Sequence, residues 1–215
     1  MEKTFLSIGT GPGIGLSTAI LFAREGYRPV LACRTATNLA KLAENVRRAT
    51  GVDAETLVLD AGDMTQMAAL RHRLAERVHV LHYNAAIVHA ESLAAATLTS
   101  LELDIRVGIT GALAAIKTFA PVMLERKYGS ILLTGGMLAY TPNSQYLALG
   151  VAKAGISNMA HALFGEFSAK NVHIACVNVT RAVAPGSPEA EEVARAFWRM
   201  HSQPYAQWTC EENDA

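Results

Sequence analysis

The chain has 215 residues, 51% of them hydrophobic and 18% charged, which excludes a mainly disordered polymer and suits one domain with a single substantial core. Its 19 basic and 19 acidic residues balance, so there is no electrostatic footprint for nucleic acid or an anionic membrane. The cysteines, Cys33, Cys176 and Cys210, are few and odd in number; the apolar runs around Cys33 and Cys176 point to reduced, buried thiols and a cytoplasmic protein.

"TFLSIG" (4–9) is a short apolar run stopped by glycine, and "GIGLSTAILFAREG" reads as a helix closed by Gly26. A second strand, "RPVLAC" (28–33), precedes a polar helix over 36–50 that ends at Gly51. "AETLVLD" (54–60) is a third strand, 63–77 a charged amphipathic helix, and "HVLHYN" (79–84) a fourth strand. Helical sequence fills 93–127, in one piece or two, before strand five, "GSILLTG" (129–135). A long helix at about 145–169 leads to strand six, "VHIACVNV" (172–179). Ser187 caps a helix over 187–201 with Pro188 in its first turn. A last short strand is expected near 205–210, with "EENDA" as a frayed tail. The N-terminal apolar run is too short for a signal peptide. The longest apolar region is interrupted by Lys117 and Pro121, a poor membrane span. Apolar strands alternating with helices imply an α/β domain spanning 1–215, a doubly wound parallel sheet covered on both faces.

The first strand hands over to the first helix through "SIGTGPGIGLSTA", where Gly9, Gly13 and Gly15 form G-x-x-x-G-x-G with Gly11 and Pro12 between them. Such a loop, Gly9 through Ile14 and Gly15, permits a tight turn and brings helix-terminal amides to a pyrophosphate. A strand–helix turn with no ligand is the alternative. After strand two, Arg34 stands where an NAD-preferring site carries an acidic residue, so NADP is favoured, with NAD possible. Asp60, with Ala61 beside it, is placed to reach the adenine.

With "YNAA" at 83–86 and Lys153 in the long fifth helix, the chain resembles the short-chain dehydrogenase/reductase superfamily over about residues 4–180. The resemblance implies a Rossmann fold, a nicotinamide cofactor and a small carbonyl or alcohol substrate. It implies that Asn84 and Ala85 support the loop beside the cofactor, and that Lys153 holds the nicotinamide ribose. The superfamily's Y-x-x-x-K tyrosine falls on Leu149, its strand-five serine on Gly136 and its helix-four asparagine on Gly108. A positioned proton donor contributes about 10²–10⁴-fold, so ordinary carbonyl reduction by that machinery is not expected.

"YLALGVAK" offers a substitute. In a helix Tyr146 and Lys153 lie about 20° apart around the axis, with about 10.5 Å of rise. That Y-x6-K spacing is similar to the divergent enoyl-acyl-carrier-protein reductases of the same superfamily. A half-buried aromatic anchoring the helix start is the alternative for Tyr146; Tyr140, Ser144 and Thr134 are weaker hydroxyl candidates. The seven histidines are scattered and make no convincing metal pair. Helices 145–169 and 107–124 are apolar around much of their circumference. A homodimer or homotetramer through them is expected; packing beneath the C-terminal helix of the same chain is the alternative. Two functional readings follow: an NADP-preferring oxidoreductase using Tyr146 and Lys153 on a carbonyl, alcohol or enoyl substrate, or an inactive NAD(P)-binding protein acting as sensor or assembly partner.

Overall fold

The structure, a computed structural model, describes residues 3–214. Its strands are β1 (Lys3–Ile8), β2 (Tyr27–Cys33), β3 (Glu55–Val58), β4 (Val78–Tyr83), β5 (Gly129–Gly136), β6 (Val172–Val179) and β7 (Glu211–Asn213). Its helices are α1 (Ile14–Arg24), α2 (Ala36–Thr50), α3 (Met64–Leu74), α4 (Leu98–Ile105), α5 (Gly111–Arg126), α6 (Leu147–Ser168) and α7 (Pro188–Ser202). A π-helical segment, Arg106–Thr110, joins α4 to α5.

All strands pair in parallel, in the order β3-β2-β1-β4-β5-β6-β7. Successive side chains leave a strand on opposite faces, so a sheet covered twice needs apolar residues on both. On β1, Leu6 and Ile8 join the core beneath α3, α5 and α6, whereas Phe5 joins the core beneath α1, α2 and α7. The chain winds one way from β1 to β3 and the other way from β4 onward. The strand order therefore reverses between β1 and β4, and a crevice opens there at the carboxyl ends of the strands.

The expected doubly wound α/β domain is present, with local differences. Residues 93–97 are not helical; Thr97 instead caps α4 through a reciprocal pair with Ser100. β3 ends at Val58, so Asp60 lies in the loop beyond it. The last strand is Glu211–Asn213 rather than 205–210. Residues 205–207 form a short 3₁₀ turn, and Trp208 just after it stacks flat on His173, with ring centroids 4.5 Å apart. The acidic stretch looks like a frayed tail only when its partners are unknown. Glu211 accepts hydrogen bonds from Tyr140 and Asn178, and Glu212 from Arg199. Asp214, 4% exposed, accepts from the Thr180 amide at 3.0 Å and hydroxyl at 2.6 Å.

The segment Leu98–Arg126 and helix Leu147–Ser168 are long and apolar enough to cross a membrane by length and composition. In the fold their apolar sides cover the sheet. Helix α7 packs with α1 on the opposite face, so α6 is not covered by the C-terminal helix. Leu113, Leu147 and Val151 stay 40–48% exposed instead.

Candidate active site

One cavity of about 930 Å³ follows the carboxyl ends of the strands. Strand order fixes the sequence of its walls. Arg34 after β2 and Asp60 and Ala61 after β3 lie at one end, and the glycine loop after β1 follows. Asn84 to Val88 come after β4, then Thr134 to Leu138 at the end of β5, and Thr180 to Val183 after β6 close the far end. Tyr146, just before α6, and Leu149 and Lys153 within it complete that far wall.

The glycine loop is held close to β4. Gly9 has φ +82°, and a Cβ there would lie 2.4 Å from the backbone N and Cα of Ala85. A Cβ on Gly15 would meet the Thr10 backbone at 2.9 Å. Gly9→Ala is therefore expected to cost about 2–5 kcal/mol, from left-handed strain plus overpacking; urea denaturation measures it, and unchanged stability would contradict the close packing. Gly13 is the N-cap of α1 and provides no side-chain cap. The first-turn amides thus face the cavity with the positive end of the helix dipole behind them. Gly9, Gly11, Gly13, Ile14 and Gly15 line the cavity, whereas Pro12 is exposed and outside its lining. The Pro12 ring fixes φ and carries no N–H, so its backbone has no donor to offer there. Cys33, expected to be buried, is half-buried at the rim.

Asp60 Oδ1 accepts from the Gly62 amide at 2.8 Å, which fixes the carboxylate at the cavity end. Asn84 Nδ2 donates to the Gly9 carbonyl at 2.9 Å. The Thr134 hydroxyl donates to Asn84 Oδ1 at 3.0 Å, so it is engaged and not a spare donor. Lys153 Nζ donates to the Thr134 carbonyl at 2.8 Å. Burial brings its ammonium down to about 8, with nearby Cys176 pulling the other way.

Tyr146 differs from the helical reading: it is the N-cap of α6, with φ −128° and ψ 35°, and the helix starts at Leu147. It still shares the cavity wall with Lys153. Tyr140 does not; its hydroxyl is within 2.7 Å of Ser157 Oγ and also donates to Glu211. Ser144 is exposed and outside the lining. The nearest atoms to a Cβ on Gly136 would be those of the Lys153 stem, at 3.4–3.6 Å, whereas one on Gly108 would lie 2.6 Å from Ala152 Cβ. Tyr83 donates to the Val107 carbonyl at 2.5 Å, tying β4 to the π-helical segment. Among the described residues, no group of three or more His, Cys, Asp or Glu is placed to hold a metal.

Sequence reading missed the wall segments Ile87–Val88, Met137–Leu138 and Thr180–Val183. The signal that finds them is their position, since each follows the carboxyl end of a parallel strand, where such sheets bind ligands.

The family model described as short chain dehydrogenase matches residues 3–190. The chain belongs to that family. As a short-chain dehydrogenase it is an NAD(P)-dependent oxidoreductase. It is 27% identical over 183 residues to an uncharacterized oxidoreductase of Listeria monocytogenes, covering 83% of this chain and 73% of that one. It is 25% identical over 187 residues to the 3-oxoacyl-acyl-carrier-protein reductase of Thermotoga maritima, covering 86% and 73%. A metagenomic short-chain oxidoreductase, solved in complex with NADP, shares the fold with a TM-score of 0.87 at 22% identity, over 99% of this chain and 97% of that one. The cavity of this short-chain dehydrogenase fits a dinucleotide on its own geometry. A Cβ on Gly11 would meet nothing within 4 Å and one on Gly13 nothing nearer than 3.8 Å, so the loop leaves an open cradle; uncapped helix amides line it, and a cationic side chain stands at each end.

Proposed function

We propose that this chain is an NADP(H)-dependent oxidoreductase of uncharged carbonyl, alcohol or enoyl compounds, with Tyr146 and Lys153 in place of the family's Tyr-x3-Lys pair. One observation carries the reading: a single cavity has Arg34, Asp60 and the glycine loop at one end and Lys153 and Tyr146 at the other. The amides of Gly13 to Gly15 hold the pyrophosphate, Arg34 the 2′-phosphate and Asp60 the adenine side. Lys153 holds the nicotinamide ribose from its perch on the Thr134 carbonyl. NADPH, when bound, supplies the hydride. Tyr146 holds the substrate oxygen and gives or takes its proton.

The substrate half of the wall carries Ile87, Val88, Met137, Leu138, Leu149 and Val183, with Thr141, Asn143 and Thr180 as its neutral polar groups. Arg181 also borders it but is paired with Glu192. A charged substrate finds no free countercharge there, and an apolar carbonyl is desolvated at little cost. The same reading includes a homodimer or homotetramer through the exposed sides of α5 and α6, and a cytoplasmic setting for three free cysteines.

Tyr146→Phe is the test. With NADPH and a panel of ketones, quinones and enoyl thioesters, kcat is expected to fall about 10²-fold or more, while the NADPH dissociation constant stays unchanged. Activity untouched by the substitution removes Tyr146 from the chemistry. Gly108, Gly136 and Leu149 favour a second reading, a nicotinamide-binding protein without turnover; tight NADPH binding with no oxidation across the panel assigns it.

A further inference from the structure

Beneath the glycine loop lies a histidine that the proposed chemistry does not use. His82 is fully buried on β4, directly opposite Ser7 of β1 in the sheet register. Its ring packs between Phe5 and Phe197, with centroids 5.8 and 4.5 Å away. Its Nδ1 is 3.2 Å from Ser7 Oγ, and its Nε2 is 3.2 Å from Thr134 Oγ1.

The direction of every proton in this group follows from the last acceptor. A carbonyl only accepts, so Asn84 must present its amide nitrogen to the Gly9 carbonyl, 2.9 Å away. Asn84 Oδ1 then faces Thr134, whose hydroxyl must donate across 3.0 Å. That hydroxyl, having given its one proton, can only accept from His82, so Nε2 carries the ring hydrogen. Burial holds the imidazole far below its usual range, near 3. The ring is therefore neutral, Nδ1 is bare, and Ser7 donates to it.

We propose that His82 is a positioning residue for the nucleotide site. The chain of donation from Ser7 through His82, Thr134 and Asn84 to the Gly9 carbonyl sets the glycine loop and the Thr134 backbone as one unit. The Gly9 peptide is pinned from both directions, since Asn84 holds its carbonyl and the Gly9 and Thr10 amides each donate to Ala32 at 2.9 Å. Thr134 is the branch point: its side chain continues the chain toward Gly9, and its carbonyl takes Lys153. The amides that grip one end of a dinucleotide and the ammonium that grips the other are thereby referred to the same two strands, β4 and β5. Such positioning removes ordering cost from binding. No charged side chain contributes to the chain, so it works the same way across neutral pH.

The binding part of the test rests on the nucleotide reading above; the tautomer part does not. In the ¹⁵N NMR spectrum of the unliganded protein at about pH 7, His82 is expected as the Nε2–H tautomer. Thr134→Val removes the branch-point hydroxyl without changing side-chain size. It is expected to raise the NADPH dissociation constant about tenfold, the scale of one hydrogen bond in a buried network, with a melting temperature within a few degrees of wild type. Thr134→Ser keeps the hydroxyl and is expected to bind as wild type does. His82→Phe keeps the ring stack and is expected to weaken binding to a similar degree; if it fails to fold, the Thr134 pair decides. An Nδ1–H tautomer overturns the proposal, and so does Thr134→Val binding NADPH as tightly as wild type. A wild-type protein that ignores NADPH sinks the nucleotide reading instead, and the tautomer then decides the chain by itself.

Discussion

Replacing Gly136 by serine and Leu149 by tyrosine together is expected to raise the rate of ketone reduction with NADPH by about 10²-fold or more. The resemblance read from the sequence sets the family's serine and tyrosine at these two positions, and both line the cavity. Gly136 has φ 173° and ψ 153°, extended backbone that any residue adopts. The three atoms nearest a Cβ there all belong to the flexible stem of Lys153, at ordinary contact distances of 3.4–3.6 Å. Leu149 lies one helical turn before Lys153, about 40° around the axis, and already lines the cavity. A serine and tyrosine there place two hydroxyls on the wall that carries Lys153. The fourth member cannot follow by simple substitution, because Gly108→Asn drives a Cβ to 2.6 Å from Ala152 Cβ. Steady-state kcat for the double variant on an apolar ketone panel, with NADPH affinity measured alongside, checks the expectation. An unchanged kcat with intact binding means that the substrate oxygen is not presented to this wall.

Acidification is expected to be the other large effect. Burial holds His82 near 3. Burial first, then His173 and Lys3, hold His201 near 4; burial also lowers His173. In the unfolded chain each titrates near the ordinary 6.5, so their folded values lie below their unfolded ones. The unfolded state therefore takes up protons first as pH falls. Stability is fully present above about 6.5 and drains away as pH drops through the window toward the folded values. For His82 and His201 together the loss between about pH 6.5 and 4.5 is on the order of 4 kcal/mol, a large share of what holds a domain folded. His201 adds a structural cost, since its ring nitrogens lie 2.6 Å from the Tyr27 hydroxyl and 2.8 Å from Ser130 Oγ. Urea denaturation at several pH values measures the slope, and His82→Phe is expected to remove about half of it. A wild-type curve that is flat over this window would mean that water reaches these rings.

How much of this was legible beforehand varied with the kind of signal. The parallel sheet was legible because strands such as "GSILLTG" and "VHIACVNV" are apolar on both faces, a pattern few other architectures require. The glycine loop was legible because φ +82° and a 2.4 Å approach leave one residue type at position 9. The final strand was not. Glu211, Glu212 and Asp214 read as solvent-seeking until Tyr140, Asn178, Arg199 and Thr180 are brought to them from far away in the chain. His82 was read only as part of a strand, since its meaning depends on Ser7 and Thr134, which neighbour it through sheet register rather than sequence. The spacing of Tyr146 to Lys153 is matched by their sharing one cavity lining, but Tyr146 lies one residue outside the helix expected to carry it.

The wide coil at Arg106–Thr110 has a bearing on everything downstream of it. A π turn takes up one residue more than an α turn, so it offsets the azimuth of the following helix by about 100°. That offset brings Gly111 against the Ala61 carbonyl and Tyr83 hydroxyl, where a Cβ would intrude to 2.3–2.4 Å, and points Ala115 and Phe119 into the sheet. The odd residue works as a phase adjuster: without it the small and aromatic side chains on α5 would be turned about 100° from their present bearing on the sheet.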